Sequence, residues 1–211
     1  MPNYDFFDQN PYGIHKKALN LVGRKKRVLE IGCATGQLSR RLAENECDII
    51  GVEVNKESAN VAMKYCREVL VSDIESMESL GHNDFDFILL LDVLEHLREP
   101  VAILVRLKEY LKRGGFIIVS LPNVANWRVR WDLIFGRFDY CECGILDKTH
   151  LRFFTEASAR KIIEDAGYEI VNFDIVPTMP FLRIRASCAY AIAKYRPNFF
   201  ARQFLITAKP K

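Results

Sequence analysis

No CxxC pair occurs among the six cysteines, Cys33, Cys47, Cys66, Cys141, Cys143 and Cys188. The common zinc modules are therefore excluded, and the scatter of these thiols over 211 residues excludes the dense disulfide framework of a small secreted domain. Reduced thiols, and with them a cytoplasmic protein, are expected. Long apolar runs are also lacking: charged residues interrupt each one before it could span a bilayer. The opening MPNYDFFDQNPYG has no basic-then-apolar order, so no secretion signal is expected. Excess charge is small, with 30 Lys and Arg against 27 Asp and Glu leaving +3, and this does not favour a nucleic-acid partner. No repeat and no low-complexity linker divides the chain. With 49% hydrophobic residues it can fill one core, and a single domain over 1–211 is expected.

What is present is alternation. Short β-branched runs read as strands: RVLEIG (27–32), DIIGVEV (48–54), EVLVSD (68–73), FDFILLLD (85–92), GFIIVSLP (115–122), YEIVNFDIV (168–176) and QFLITAK (203–209). The first five are nearly continuous in apolar residues, as strands buried on both faces are. Helical spacing fills the gaps at 37–45, 56–67 and 100–111, and Thr155 followed by Glu156 reads as an N-cap for a helix stopped by Gly167. This order predicts a parallel sheet covered by helices on both faces. Three stretches fall outside it: an N-terminal cap (1–24) and insertions at 123–154 and 177–200. Trp127, Trp131, Ile134, Phe135 and Phe138 recur at helical spacing in the first insertion, and FLRIRASCAYAIAKY (181–195) also reads as helix.

After the first strand, EIGCATGQ (30–37) reads as a tight glycine turn opening a helix near Gln37. Such a turn brings backbone N–H groups close to a ligand. A dinucleotide fingerprint would need GxGxxG, but Ala34 stands at the second glycine and Gln37 at the third, so the turn argues against that ligand. Glu53 ends the second strand, where a carboxylate can accept from two ribose hydroxyls. Asp73 ends the third and Asp92 the fourth. Each alone reads equally well as a turn residue. Three consecutive strands ending this way point to a ligand crevice at the carboxyl edge of the sheet.

In order and spacing, VLEIGCATGQ, GVEV, the Asp73 turn, FDFILLLDVLEHL and LKRGGFIIVSLPN, from about Lys25 to Pro122, resemble the class I S-adenosylmethionine-dependent methyltransferases. Bacterial ubiquinone-biosynthesis O-methyltransferases and methyltransferases of glycan or polyketide assembly are the particular likenesses. The resemblance implies an α/β fold, a Rossmann-like doubly wound seven-stranded sheet ordered 3-2-1-4-5-7-6 with the seventh strand antiparallel. It implies S-adenosylmethionine as methyl donor and S-adenosylhomocysteine as product. Carried over position by position, it assigns Glu30, Gly32 and Gly36 to the loop around the methionine end and Glu53 to the ribose, with Cys33, Ala34, Gln37 and Val54 also bordering the cofactor. Asp73 and Ile74 would flank the adenine, and Leu91 and Asp92 would border the methionine moiety and the sulfonium.

Glu95 and His96 follow Asp92 at i+3 and i+4, which would set all three on one face of a helical turn. Three readings stand side by side. Glu95 and His96 serve only a helix start; or His96 takes a proton from a hydroxyl acceptor; or Asp92, Glu95, His96 and His150 hold a divalent metal. The last resembles the cluster of small-RNA 2′-O-methyltransferases and ubiquinone-biosynthesis O-methyltransferases, with Asp92 in place of the commoner Glu. His150 lies in GILDKTHLRFFT, which resembles a segment packed over the active site in glycan- and polyketide-associated methyltransferases. There Leu146, Phe153 and Phe154 would anchor the loop while His150 points toward substrate. His15 and His82 lie away from these motifs.

The 127–138 helix reads first as a lid or substrate wall and second as a membrane-surface element, its tryptophans being interleaved with arginines. Tyr4, Phe6, Phe7 and Tyr12 read either as closing over the cofactor or as capping the sheet. The resulting expectation is methyl transfer to a small-molecule or glycan-like acceptor, at oxygen. An RNA 2′-O-methyltransferase and a non-catalytic partner-binding module are the rivals; Arg128, Arg130, Arg137 and Arg152 form only a modest basic stripe.

Overall fold

The structure is a computed structural model that describes residues 10–178 and 186–211. Strands β1 (Arg27–Ile31), β2 (Asp48–Glu53), β3 (Glu68–Val71), β4 (Phe85–Leu91), β5 (Leu111–Pro122), β6 (Tyr168–Pro177) and β7 (Ala201–Pro210) form one sheet, ordered β3-β2-β1-β4-β5-β7-β6. β1 pairs in parallel with β2 and β4, β2 with β3 and β4 with β5, whereas β7 runs antiparallel to both β5 and β6. The order and the reversed last strand are those expected.

The two-residue period of a strand explains why the central runs are apolar throughout. Val28, Ile49, Leu89, Ile118 and Leu205 join one core cluster, with Ile14 and Ala18 of α1 (Ile14–Val22) and Leu38 and Leu42 of α2 (Gln37–Glu44). Their strand neighbours Leu29, Ile50, Ile88, Leu90, Ile117, Val119, Phe204 and Ile206 join the opposite cluster. That cluster also takes Leu104 of α4 (Pro100–Leu107) and Ile163 of α6 (Glu156–Asp165). Each such aliphatic side chain, fully buried, contributes about 1.5–3 kcal/mol.

Several elements differ from their sequence-based bounds. The helix after β2, α3 (Lys56–Ala62), stops well before Arg67, because the chain must turn there for Arg67 N–H to reach Ile49 O and start β3. β5 begins already at Leu111, and Gly115 is needed within it: a Cβ there would lie 2.8 Å from Phe85 O. The inserted helix α5 (Trp127–Ile134) ends before Phe135, since Gly136 follows in the left-handed region (φ 68°). Trp131, Ile134 and Phe135 remain exposed on it.

Thr155 caps α6 as expected, in a reciprocal box with Ser158. Of the second insertion, α7 (Ala186–Tyr195) and the short α8 (Pro197–Phe200) are helical, while positions 181–185 lie outside the described residues, as do Tyr4, Phe6 and Phe7. Tyr12 lies against Tyr190 of α7, with ring centroids 5.0 Å apart. Among the described residues no helix is long and apolar enough to cross a membrane, and the cysteines are unpaired.

Candidate functional site

At the carboxyl edge of β1, Gly32 and Gly36 take left-handed backbone conformations (φ 71° and 79°), and Gly36 is the residue from which α2 starts. A side chain at Gly36 has no room: its Cβ would lie 2.9 Å from the Cα of Ala62 in α3. Ala34 is left-handed as well (φ 46°), and its N–H donates to Glu53 Oε2 at 2.9 Å. Glu53 Oε1 accepts from Asn55 N–H at 2.8 Å, and the Asn55 side chain in turn caps α3. The buried Glu53 carboxylate thus joins the glycine turn to the end of β2, and each oxygen keeps a lone pair for a further donor.

Cys33 tucks its side chain under Gly51, where an added Cβ would lie 2.8 Å from Sγ. Glu30 points into the protein and accepts from Ser39 Oγ; burial pushes its carboxyl up to about 8. Gln37 opens α2, Val54 is exposed after β2, and Ile74 is buried after β3. Asp73 Oδ1 accepts from Glu75 N–H at 2.9 Å, closing the β3 turn. A cavity of about 550 Å³ opens beside it, lined also by Glu75, Arg98, Glu99, Ile103 and Arg106. None of Glu95, His96 and His150 lines that cavity.

The expected single face of Asp92, Glu95 and His96 does not form. Asp92 is in the left-handed region (φ 54°), which breaks the helical path, and only Leu94–His96 make a turn of 3₁₀ helix. Leu91, the last residue of β4, pairs with Ser120 of β5. Ser120 Oγ accepts from Asp92 N–H at 2.8 Å and donates to Asp92 Oδ1 at 2.6 Å; Gln203 Nε2 of β7 donates to Asp92 Oδ2 at 2.6 Å. Neither partner is prefigured by the spacing around Asp92. The one signal is that Ser120 is a hydroxyl inside the otherwise apolar run GFIIVSLP (115–122).

Glu95, His96 and His150 do come together, without Asp92: one ligand atom from each lies within 4.8 Å of the others. The Glu95 side chain is fully buried, and neither carboxylate oxygen has a hydrogen-bond partner among the described residues. Burial, reinforced by the nearby charge of Asp92, raises its carboxyl well above the usual range. The backbone carbonyl of Glu95 accepts from Leu151 and Arg152 N–H (2.9 and 3.1 Å), which docks the 147–152 loop over the turn. In that loop Asp147 is buried and accepts from the N–H and Oγ1 of Thr149. Thr149 O and Oγ1 approach His96 Nδ1 at 3.3 and 3.2 Å.

His150 Nδ1 lies 3.1 Å from Ile145 O, and its Nε2 is 3.9 Å from Glu95 Oε1. Burial and then the neighbouring His96 lower the basicity of His150, so its ring is neutral near pH 7. A neutral ring donating from Nδ1 to a carbonyl offers its Nε2 lone pair to a proton or a cation. Leu146 and Phe154 anchor the loop in the interior, and Phe153 continues an aromatic wall through Phe138 and Tyr140 (centroids 5.8 and 6.3 Å away) toward α5. His82, outside the site, pairs with Glu68.

The chain is similar in sequence and fold to known proteins. A family model described as a methyltransferase domain matches residues 9–172. A ubiquinone biosynthesis O-methyltransferase of Psychrobacter arcticus is 25% identical over 165 residues, covering 73% of this chain and 63% of the relative. The matched stretches span less than two thirds of such curated relatives' own length, from 45% to 63%. In fold, the chain is similar to a SAM-dependent methyltransferase from Archaeoglobus fulgidus (TM-score 0.66, 20% identity, 92% of this chain and 90% of that one). It is also similar to magnesium protoporphyrin IX methyltransferase from Synechocystis PCC 6803, a structure with bound SAH (TM-score 0.61, 18% identity, 92% and 78%).

Proposed function

This chain belongs to the class I S-adenosylmethionine-dependent methyltransferase family, and on that premise we propose that it transfers a methyl group to a hydroxyl oxygen of a small-molecule or glycan-like acceptor. The observation that carries the reading is Glu53, which braces the glycine turn at the carboxyl edge of β2 and keeps lone pairs for two ribose hydroxyls. Oxygen as the accepting atom is supported by the O-methyltransferase relatives. The donor would lie with its methionine end along Gly32–Gly36, its adenine beside Asp73 and Ile74, and its sulfur near Leu91 and Asp92.

The sulfonium makes the methyl carbon electrophilic, so the chain's tasks are alignment, exclusion of water and acceptance of one proton. As the acceptor oxygen bonds to the methyl, the carbon–sulfur bond breaks, leaving neutral S-adenosylhomocysteine, and the hydroxyl proton passes to an imidazole of the His96 and His150 pair. Phe138, Tyr140 and Phe153 would form the wall against which the acceptor is held.

A second reading is favoured by the partnerless oxygens of Glu95. One carboxylate and two imidazoles suit a divalent cation, and Glu95, His96 and His150 are the residues that would hold it. Such an ion would polarise the acceptor hydroxyl.

Titration calorimetry should show S-adenosylhomocysteine binding to the wild type and a loss of at least about tenfold for Glu53→Ala, as expected where hydrogen bonds to a charged group are removed. Unchanged affinity in that variant would refute the reading. On a panel of hydroxylated acceptors, His150→Gln should abolish methyl release without altering S-adenosylhomocysteine affinity. Loss of turnover on chelation, restored by zinc or manganese, selects the metal reading; turnover indifferent to chelator removes it.

A further inference from the structure

We propose that Ser120 and Gln203 are positioning residues for the cationic sulfur of the methyl donor, acting through Asp92. The inference rests on the methyl-donor reading above. Asp92 is the first residue beyond β4, beside the glycine turn: a Cβ on Gly32 would lie 2.9 Å from Cγ2 of the next residue, Val93. A non-glycine residue in the left-handed region is held there at some conformational cost, and such strain persists only where the surroundings over-determine it. Here the surroundings are two strands remote in sequence. Ser120 closes a two-bond ring with Asp92, through its N–H and Oδ1, and is fully buried. Gln203, whose backbone registers with Pro122 of β5 and Val176 of β6, reaches from β7 to Oδ2.

Val119 and Leu121 on either side of Ser120, and Phe204 and Leu205 beyond Gln203, are fully buried and apolar, while Arg202 before Gln203 is exposed. A carboxylate whose oxygens are each tied by one donor cannot rotate, yet each oxygen keeps unshared electron density facing away from its donor. A fixed negative charge at this place stabilises a sulfonium more than a neutral thioether. S-adenosylmethionine and S-adenosylhomocysteine differ in the charge on sulfur and in one methyl, so their affinity ratio reports this effect. A purely structural role would weaken both alike.

The experiment is titration calorimetry of the full chain with each compound, for wild type, Gln203→Met and Ser120→Ala. Gln203→Met keeps the length of the side chain while removing its donor, at a partly exposed position, so it serves where Ser120→Ala fails to fold. The expected result is a loss of about tenfold for S-adenosylmethionine, the scale of one hydrogen bond to a charged group, with S-adenosylhomocysteine changed less than about twofold. Equal losses for both compounds, or none for either, overturn the positioning role while leaving the methyl-donor reading intact. A wild type that binds neither compound overturns both.

Discussion

Glu30 is a carboxyl placed where a charge has almost no support. It sits on β1 with its neighbours buried, it accepts from the Ser39 hydroxyl, and its proton is held up to about 8 against an ordinary value of 4.5. A raised carboxyl binds more protons in the folded chain than in the unfolded one, so its contribution to stability is complete below about 4.5 and is lost as the pH rises through about 8. Glu30→Gln cannot ionise. Urea unfolding at pH 5 and pH 8.5 should therefore show stability falling less steeply with pH in the variant than in the wild type; parallel profiles would contradict the buried-proton account. The roles of Glu53 and Glu30 are legible in the sequence to different degrees, for a physical reason. A carboxylate ending an apolar strand marks an edge, whereas one inside a strand gives no indication of which residue shares its pocket.

Between residues and the whole chain lie the elements, and here legibility depends on how far away the deciding contact is. The strands are readable because burial on both faces forces continuous apolar runs, and α6 because Thr155 and Ser158 cap it locally. The end of α3 is not readable, since it is set by the chain's need to rejoin the sheet at Ile49. Nor is the geometry of Asp92, whose partners are 28 and 111 residues distant. The start of α5 shows both kinds of contact in one residue. Asn126 Oδ1 accepts from Arg128 N–H at 3.0 Å, a local cap, while Nδ2 donates to Ala201 O at 2.8 Å, tying the helix to β7.

Asn123 also donates to Ala201 O, at 2.9 Å, so that carbonyl keeps a partner when Asn126 is removed. Asn126→Ala should accordingly cost about 1–2 kcal/mol in urea unfolding, the value of a lost cap and little more. Asn126→Asp keeps the cap oxygen but sets a carboxylate against a buried carbonyl, and should cost more than the alanine. The reverse ranking would show that the Ala201 contact is immaterial.

At the scale of the molecule, the question is what holds the N-terminal helix to the far side of the sheet. α1 contributes Lys17, whose ammonium donates to Asp174 Oδ2 at 2.7 Å and to Ile175 O at 2.8 Å, both on β6. The ammonium also lies 4.3 Å from the ring centroid of Tyr190, and the Tyr190 hydroxyl donates to Asp174 Oδ1. One ion pair thus gathers α1, β6 and α7 across 157 residues of chain. The pair is largely shielded, with side-chain exposures of 10% and 18%, and burial lowers the basicity of Lys17 even with Asp174 beside it.

For a buried pair, removing one partner costs more than the pair itself contributes, because the remaining charge is stranded. Lys17→Met should therefore destabilise the fold by about 3 kcal/mol or more. Asp174→Asn should cost less, since an amide can still accept from Lys17 while the ammonium keeps Ile175 O. The double variant should fall short of the sum by about 1 kcal/mol or more, the signature of groups acting in one network. Strict additivity in that cycle would mean that α1 is held by Ile14, Ala18 and Val22 alone, packed on Val28 and Ile49 of the same core cluster.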